Sequence, residues 1–256
     1  MALLVTFQNK PAISEHAQKH KNLRIFGSRK SKIFVEPLVF DKLKEEQLKL
    51  SKKVIINDSF EKLELIGGAD CAYNQNEVIA AIVVCDCKTM GVKEKVYSIS
   101  KAKVPYLKGF LAYREGPAIG EAYAKLENKP DVMIFNGHGI SHPRRIGLAS
   151  HMGVLLEQAS IGIAKQLLAG EVKGNIVYLD KEARAEMLVS REHSKPIYVS
   201  PGHKISLKAS VEIVKSCLRF PHKLPEPLHL AHKYANEIRD KIVNGEIKVD
   251  FSTKTI

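Results

Sequence analysis

The 256-residue sequence has no tryptophan and only four cysteines, Cys71, Cys85, Cys87 and Cys217. None of these forms a CxxC pair, which argues against a zinc ribbon. Reduced core thiols are the plain expectation, and Cys85 and Cys87 would share one face of a strand. No HExxH sequence is present. No apolar run approaches the ~18 residues needed to cross a bilayer, so no membrane partner is expected. The stretch from Met1 to Lys10 lacks the basic flank and small-residue cleavage site of a secretory signal. An intracellular, cytoplasmic protein is therefore expected. There is neither an internal repeat nor a low-complexity segment.

Acidic residues are in deficit. Asp and Glu number 28 against 40 Lys and Arg, a formal net charge of +12. Such a balance suits a polyanionic partner, since each cation near a phosphate displaces a condensed counterion, although charge alone names no partner. Hydrophobic residues make up 45%, enough for the core of one domain with an extension. We read residues 1–37 as that extension and residues 38–256 as the catalytic domain. Between Lys19 and Lys32 stand six basic residues and no acidic one. This stretch reads either as an arm for a nucleic-acid backbone or as a tail without a partner.

Asp41 to Lys53 reads as an amphipathic helix with Leu43, Leu48 and Leu50 on its apolar side. Three strands are expected next: Leu63 to Ala72, the unbroken apolar run Val78 to Cys87, and Val92 to Val104. Asn74, Gln75 and Asn76 supply the first turn. A helix is expected from Pro117, a residue suited to a first helical position, to Leu126. Val132 to Phe135 is a short buried strand, Ile146 to Ala159 a helix, and Ser160 to Ala164 a strand. Asn175 to Asp180 and Pro196 to Val199 are further strands, and Ser206 to Cys217 and Pro227 to Val243 the last helices. A meander followed by alternating helices and strands indicates an α/β fold with a mixed sheet.

Three places could carry chemistry. Asp70 is the one carboxylate in the small, apolar segment Ile66 to Tyr73. An ionised group there is costly unless paired or bound to metal, though a turn-capping role is the simpler reading. Glu115 would precede a helix, where the dipole favours a carboxylate; nearby Tyr106 could be core or could stack on a base. The densest stretch is Asn136 to His151, with three His, two Arg and three Gly around a strand-to-helix turn. Ligands in α/β sheets favour the carboxyl ends of strands, and glycines let backbone N–H groups approach a phosphate or base. A zinc reading of these histidines competes, but Gly139 and Pro143 break helical ligand spacing. Lys165 and His232 are each uninformative alone.

Taken together, the blocks GGADCAY, VPYLKGFLAYREGP, NGHGISHPRRIGLASHMG, IGIAK, VSPGHKISL and LPEPLHLAHKY resemble the endonuclease V family. They follow its order from about Ile66 to His232. The resemblance implies a ribonuclease H-like fold, an Mg²⁺ cofactor for which Mn²⁺ can substitute, and a monomer. It implies recognition of inosine in DNA or RNA. Cleavage would fall at the second phosphodiester 3′ to inosine and leave 3′-hydroxyl and 5′-phosphate ends. By motif, Asp70 and Glu115 match metal-binding acids, and Asn136 stands where the family has a third, an aspartate. Lys165 and His232 match residues beside the scissile phosphate, and His142 an active-site histidine. Tyr106, within Pro105, Leu107 and Lys108, matches an aromatic wedge. Gly109, Leu111, Gly137 and Leu148 match parts of the hypoxanthine pocket.

Three residues depart from the family pattern: Asn136 for Asp, Lys108 for Pro, and His229 for Arg. An amide oxygen can touch a metal, but it brings no charge and takes no proton at neutral pH. Two readings therefore stand beside the nuclease: a protein that binds inosine sites without cutting, and a zinc hydrolase. The nuclease reading requires Asp70, Glu115 and Asn136 to approach one another, and Tyr106 to be exposed.

Overall fold

The computed structural model describes residues 37–249 and 251; the basic arm lies outside them. The meander forms as expected, with slightly shifted ends. Strands β1 (Leu65–Asn74), β2 (Glu77–Asp86) and β3 (Val92–Lys101) pair antiparallel in sequence order. Gln75, at φ 51°, makes the first turn. Strands β4 (Val132–Asn136) and β5 (Ser160–Ala164) then join parallel to β1, placing three carboxyl ends side by side.

The sheet continues through β9 (Ile197–His203), β8 (Glu182–Leu188), β7 (Ile176–Leu179) and β6 (Glu171–Lys173). Its nine strands run in the order β3-β2-β1-β4-β5-β9-β8-β7-β6. Neither β6 nor β8 was expected. The first is exposed along its whole length, with no apolar alternation to read. The second, Glu-Ala-Arg-Ala-Glu-Met-Leu, consists of good helix formers and is a strand because it pairs with β7 and β9.

Helices cover both faces. On one side α2 (Leu111–Ala124) and α3 (Leu148–Leu155) pack against Ala69, Val78, Ala80, Ile82 and Phe135. On the other, α4 (Leu207–Ser216) and α5 (Glu226–Val243) cover Ile66, Val83, Ile134, Ile161 and Val199, and α5 also covers Ala72, Ile79 and Ala81. This two-sided mixed sheet is the ribonuclease H-like α/β fold. Alternation along β1 and β2 assigns the faces: even positions of β2 meet α2, odd ones meet the opposite layer. Gly68 lets α5 lie directly on β1, because a Cβ there would stand 2.2 Å from the Pro227 carbonyl. All four cysteines are free thiols, with Cys85 inside β2 and Cys87 just beyond its end.

Two expectations need correction. Helix α2 begins at Leu111 rather than Pro117, so Pro117 lies inside it. Gly109, at φ 84°, turns the chain into the helix six residues before the proline would start it. Helix α1 (Pro37–Ser51) does not bury Leu48, which is half exposed; its buried residue is Gln47, 1% exposed. Among the described residues no helix is long and apolar enough to cross a membrane.

Candidate active site

Strand β4 stops at Asn136, and its pairing with β1 covers only Ile66–Ala69. Beyond Ala69, β1 therefore has no paired strand on that side, and side chains fill this notch. Asp70 is 6% exposed. Its Oδ1 accepts from Asn136 Nδ2 at 2.9 Å and from the Cys71 N–H at 2.8 Å. His232 Nδ1 lies 2.7 Å from Oδ2, delivered by α5 across the Gly68 contact.

Glu115 reaches the edge of β1 from α2, the layer opposite the one Asp70 faces, and lies near enough for the Asp70 charge to act on it. It lies in the helix's second turn, so the expected dipole stabilisation gives way to burial: the residue is 7% exposed. Burial, reinforced by the Asp70 charge, pushes its carboxyl up to about 8, while the Tyr73 hydroxyl that donates to Oε1 acts against the rise. The Arg114 guanidinium sits 5.0 Å over the Tyr73 ring and donates to the Val104 carbonyl. Tyr73 belongs to the GGADCAY block but carried no expected role. Strand alternation points it to the α2 layer, opposite Asp70, and only the placement of α2 shows that it meets Glu115.

Beside the notch lies a cavity of about 540 Å³, within the usual size of small-ligand pockets. Three segments line most of it, with Gln47 of α1 and His142 beside them. One is 106–109 with Leu111 and Ala112; the second combines 136–138 with 146–148; the third runs from the end of β5 through Lys165 to Leu168. Tyr106, Leu107, Lys108, Gly109, Leu111, Gly137, Leu148 and Lys165 all border this one space. Pro105 adjoins Tyr106 without lining the cavity, and Asp70, Glu115 and His232 lie outside it. Asn136 belongs to both places: it lines the cavity and donates to Asp70. Tyr106 is 70% exposed, and Lys165 is exposed at the end of β5.

The histidine-rich stretch serves the cavity wall. His142 Nδ1 accepts the Arg144 N–H at 3.1 Å, so Nε2 donates to the Gly109 carbonyl at 3.0 Å. Burial, and then the Arg144 charge, hold this imidazole down to about 3. His138, bonded through Nδ1 to Ser141 Oγ, and His151 are each held near 4, mainly by burial. These rings are neutral at pH 7; His138 and His142 fix turns, whereas His151 lies buried in α3, edge-on to Tyr113 at 5.2 Å, with no hydrogen-bond partner at Nδ1. Among the described residues no three His, Cys, Asp or Glu side chains converge as a metal-binding group, so the zinc reading gains no support.

A family model described as Endonuclease V matches residues 48–233. Endonuclease V of Dictyoglomus thermophilum is 40% identical over 210 residues, covering 78% of this chain and 91% of its own length. The solved catalytic domain of human endonuclease V has a TM-score of 0.75 at 27% identity, covering 82% of this chain and 99% of that one. Ciona intestinalis endonuclease V, solved in complex with a 24mer DNA containing an inosine followed by a ribo-adenosine, has a TM-score of 0.73 at 30% identity. That match covers 80% of this chain and 99% of the other.

Proposed function

This chain belongs to the endonuclease V family of phosphodiester-hydrolysing nucleases, and from that premise we propose that it recognises inosine in DNA or RNA and cuts the second phosphodiester 3′ to it. The ends would be a 3′-hydroxyl and a 5′-phosphate. The observation that carries this reading is the junction at Asn136, which lines a cavity large enough for a base and donates to the buried Asp70 carboxylate.

In this reading a flipped hypoxanthine enters the cavity. Backbone at Gly109, Leu111 and Gly137, with the Leu148 side chain, meets its edges and faces, and Pro105 and Leu107 brace Tyr106. The exposed Tyr106 ring fills the gap left in the stack, lowering the cost of extrusion. Lys108 and Lys165 put positive charge at the rim, where a phosphate bears negative charge. His232 orients the Asp70 carboxylate, and Tyr73 does the same for Glu115. His142 acts through the cavity wall. The basic residues from Lys19 to Lys32 add backbone contacts, and the protein acts as a monomer.

The donor chemistry fits a hard divalent cation. Asp70 and Glu115 offer carboxylate oxygens, and a cation beside them would favour the ionised form of Glu115, which burial first and then the Asp70 charge disfavour. Asp70, Glu115 and the Asn136 amide oxygen would hold Mg²⁺ or Mn²⁺. Bound there, the ion supplies charge neutralisation and an activated water. Asn136 weakens this arrangement, because a neutral amide replaces a third charge. Its Nδ2 also bonds Asp70 directly, which an aspartate could not do.

That bond favours one further reading, in which the protein binds inosine sites and cuts them slowly or not at all. Incubation with labelled inosine-containing DNA and RNA, with Mg²⁺ and then Mn²⁺, separates the two. A product ending one nucleotide beyond inosine supports the nuclease. A retarded but intact strand supports binding alone. No retention of the inosine strand over its adenine counterpart would overturn both.

A further inference from the structure

One buried polar residue lies outside the six sequence blocks and just ahead of the family match, which begins at residue 48. Gln47 projects from α1 and is 1% exposed. Its position in the helix explains the burial. Phe40, Leu43, Gln47 and Leu50 follow the 3-4-3 spacing of an inward-facing seam, and these are the only residues between 40 and 50 that are not exposed. A glutamine in such a seam loses its water and must find partners.

Gln47 and its partner Gly109 both line the cavity, and its other partner, Arg144, stands behind that wall. Gln47 Nε2 donates to the Gly109 carbonyl at 3.0 Å, and Gln47 Oε1 accepts from Arg144 Nε at 2.6 Å. The same Gly109 carbonyl accepts from Arg144 Nη2 at 2.9 Å and from His142 Nε2 at 3.0 Å. A carbonyl oxygen with two lone pairs thus receives three N–H donors from two separate parts of the chain. Around this knot the Arg144 guanidinium lies 4.6 Å from the Phe110 ring centre, Phe110 meets Phe40 edge-on at 5.9 Å, and Tyr113 donates to the Leu43 carbonyl at 3.0 Å.

Gly109 is where the chain turns from the Tyr106 segment into α2, in the left-handed region at φ 84°. Anchoring its carbonyl fixes which way the neighbouring peptide groups face and hence the shape of the cavity. We propose that Gln47 of α1, acting with Arg144 through the Gly109 carbonyl, is a positioning residue that sets base discrimination in the cavity. This rests on the cavity being the base pocket. Gln47 touches no reacting group. It makes α1 part of the recognition apparatus, because a preorganised wall admits the matching base without an ordering cost.

The test is fluorescence anisotropy, without metal, on single strands that differ only in carrying inosine or adenine at one position. Full-length wild type, Gln47→Met and Gln47→Glu are compared, with thermal midpoints recorded in parallel. Methionine keeps the volume and lacks the amide; glutamate keeps the acceptor for Arg144 and loses the donor to Gly109. Both variants should lower the inosine-over-adenine affinity ratio by about tenfold, with adenine-strand affinity unchanged. A lowered midpoint, or equal weakening on both strands, with the ratio intact would reduce Gln47 to a structural role and overturn the proposal. A wild-type ratio of one would instead overturn the base-pocket reading, and the proposal with it.

Discussion

The notch and the cavity share Asn136 but are built from different materials. The notch is made of side chains on β1, α2, β4 and α5, and its properties depend on charge: Asp70 and Glu115 are buried, and Glu115 is pushed up to about 8 by burial and by Asp70. The cavity is made largely of turns, glycines and aliphatic side chains, and its shape depends on backbone held by the Gly109 knot. A one-atom change in a side chain can silence the first and leave the second untouched. Changes of backbone freedom should do the reverse. Under the proposed function, Asn136 would be an instance of the first kind, lowering charge at the notch while Gly109, Leu111 and Gly137 remain in place.

Four changes would break or sharpen this separation. The largest effect is expected from Asp70→Asn, which removes a further charge from the notch. Single-turnover cleavage of an inosine strand should fall by about 10²–10³-fold, the scale for one preorganised electrostatic group. Binding of the uncut strand should hold. Next is Gly109→Ala. A side chain at φ 84° is strained by about 1–2 kcal/mol, and its Cβ would stand 3.1 Å from Arg144 Nη2. Inosine preference in a binding titration should drop while residual cleavage at saturating protein persists. If turnover collapses and preference survives, the two regions are not separable in this way.

Tyr106→Ala comes third. The ring is 70% exposed, so its loss should barely change the unfolding midpoint. Inosine-strand binding should weaken by about 1–3 kcal/mol, the usual value of one base–aromatic stack, and unchanged affinity would remove the wedge role. The smallest effect concerns neither region. Deleting residues 1–36 should flatten the dependence of affinity on salt and leave the inosine preference as it was, because phosphate contacts position a protein without reading bases. A lost preference at constant salt slope would show that the arm reads bases.

The sequence made the notch easier to read than the cavity wall. Asp70 was visible as a lone charge in an apolar strand, and the strand ends at Asn136 and Lys165 followed from short buried runs closed by polar turns. The partners that tune them were not visible. Tyr73 meets Glu115 only because α2 starts at Leu111, six residues before the proline that signals a helix start. Gln47 was hidden for a related reason: counting leucines put Leu48 on the buried side of α1, whereas the seam through Phe40 and Leu43 buries the glutamine. Strand β8 shows the limit of local propensity, since pairing with β7 and β9 overrides a helix-forming composition. For Tyr73 and Gln47 the deciding contact lies far along the chain; for β8 it is pairing with the strands on either side.

We propose that Asn136 limits the chemistry at the notch without limiting recognition in the cavity. The most direct test is Asn136→Asp beside the wild-type chain, in single-turnover cleavage of an inosine-containing strand at saturating protein with Mg²⁺. Inosine-strand affinity is measured on the same samples without metal. Restoring the carboxylate should strengthen metal binding, because ligand charge tunes it, and should raise the cleavage rate by about 10²–10³-fold with little change in affinity. Equal cleavage rates in the two proteins would contradict the account and place the limiting group elsewhere.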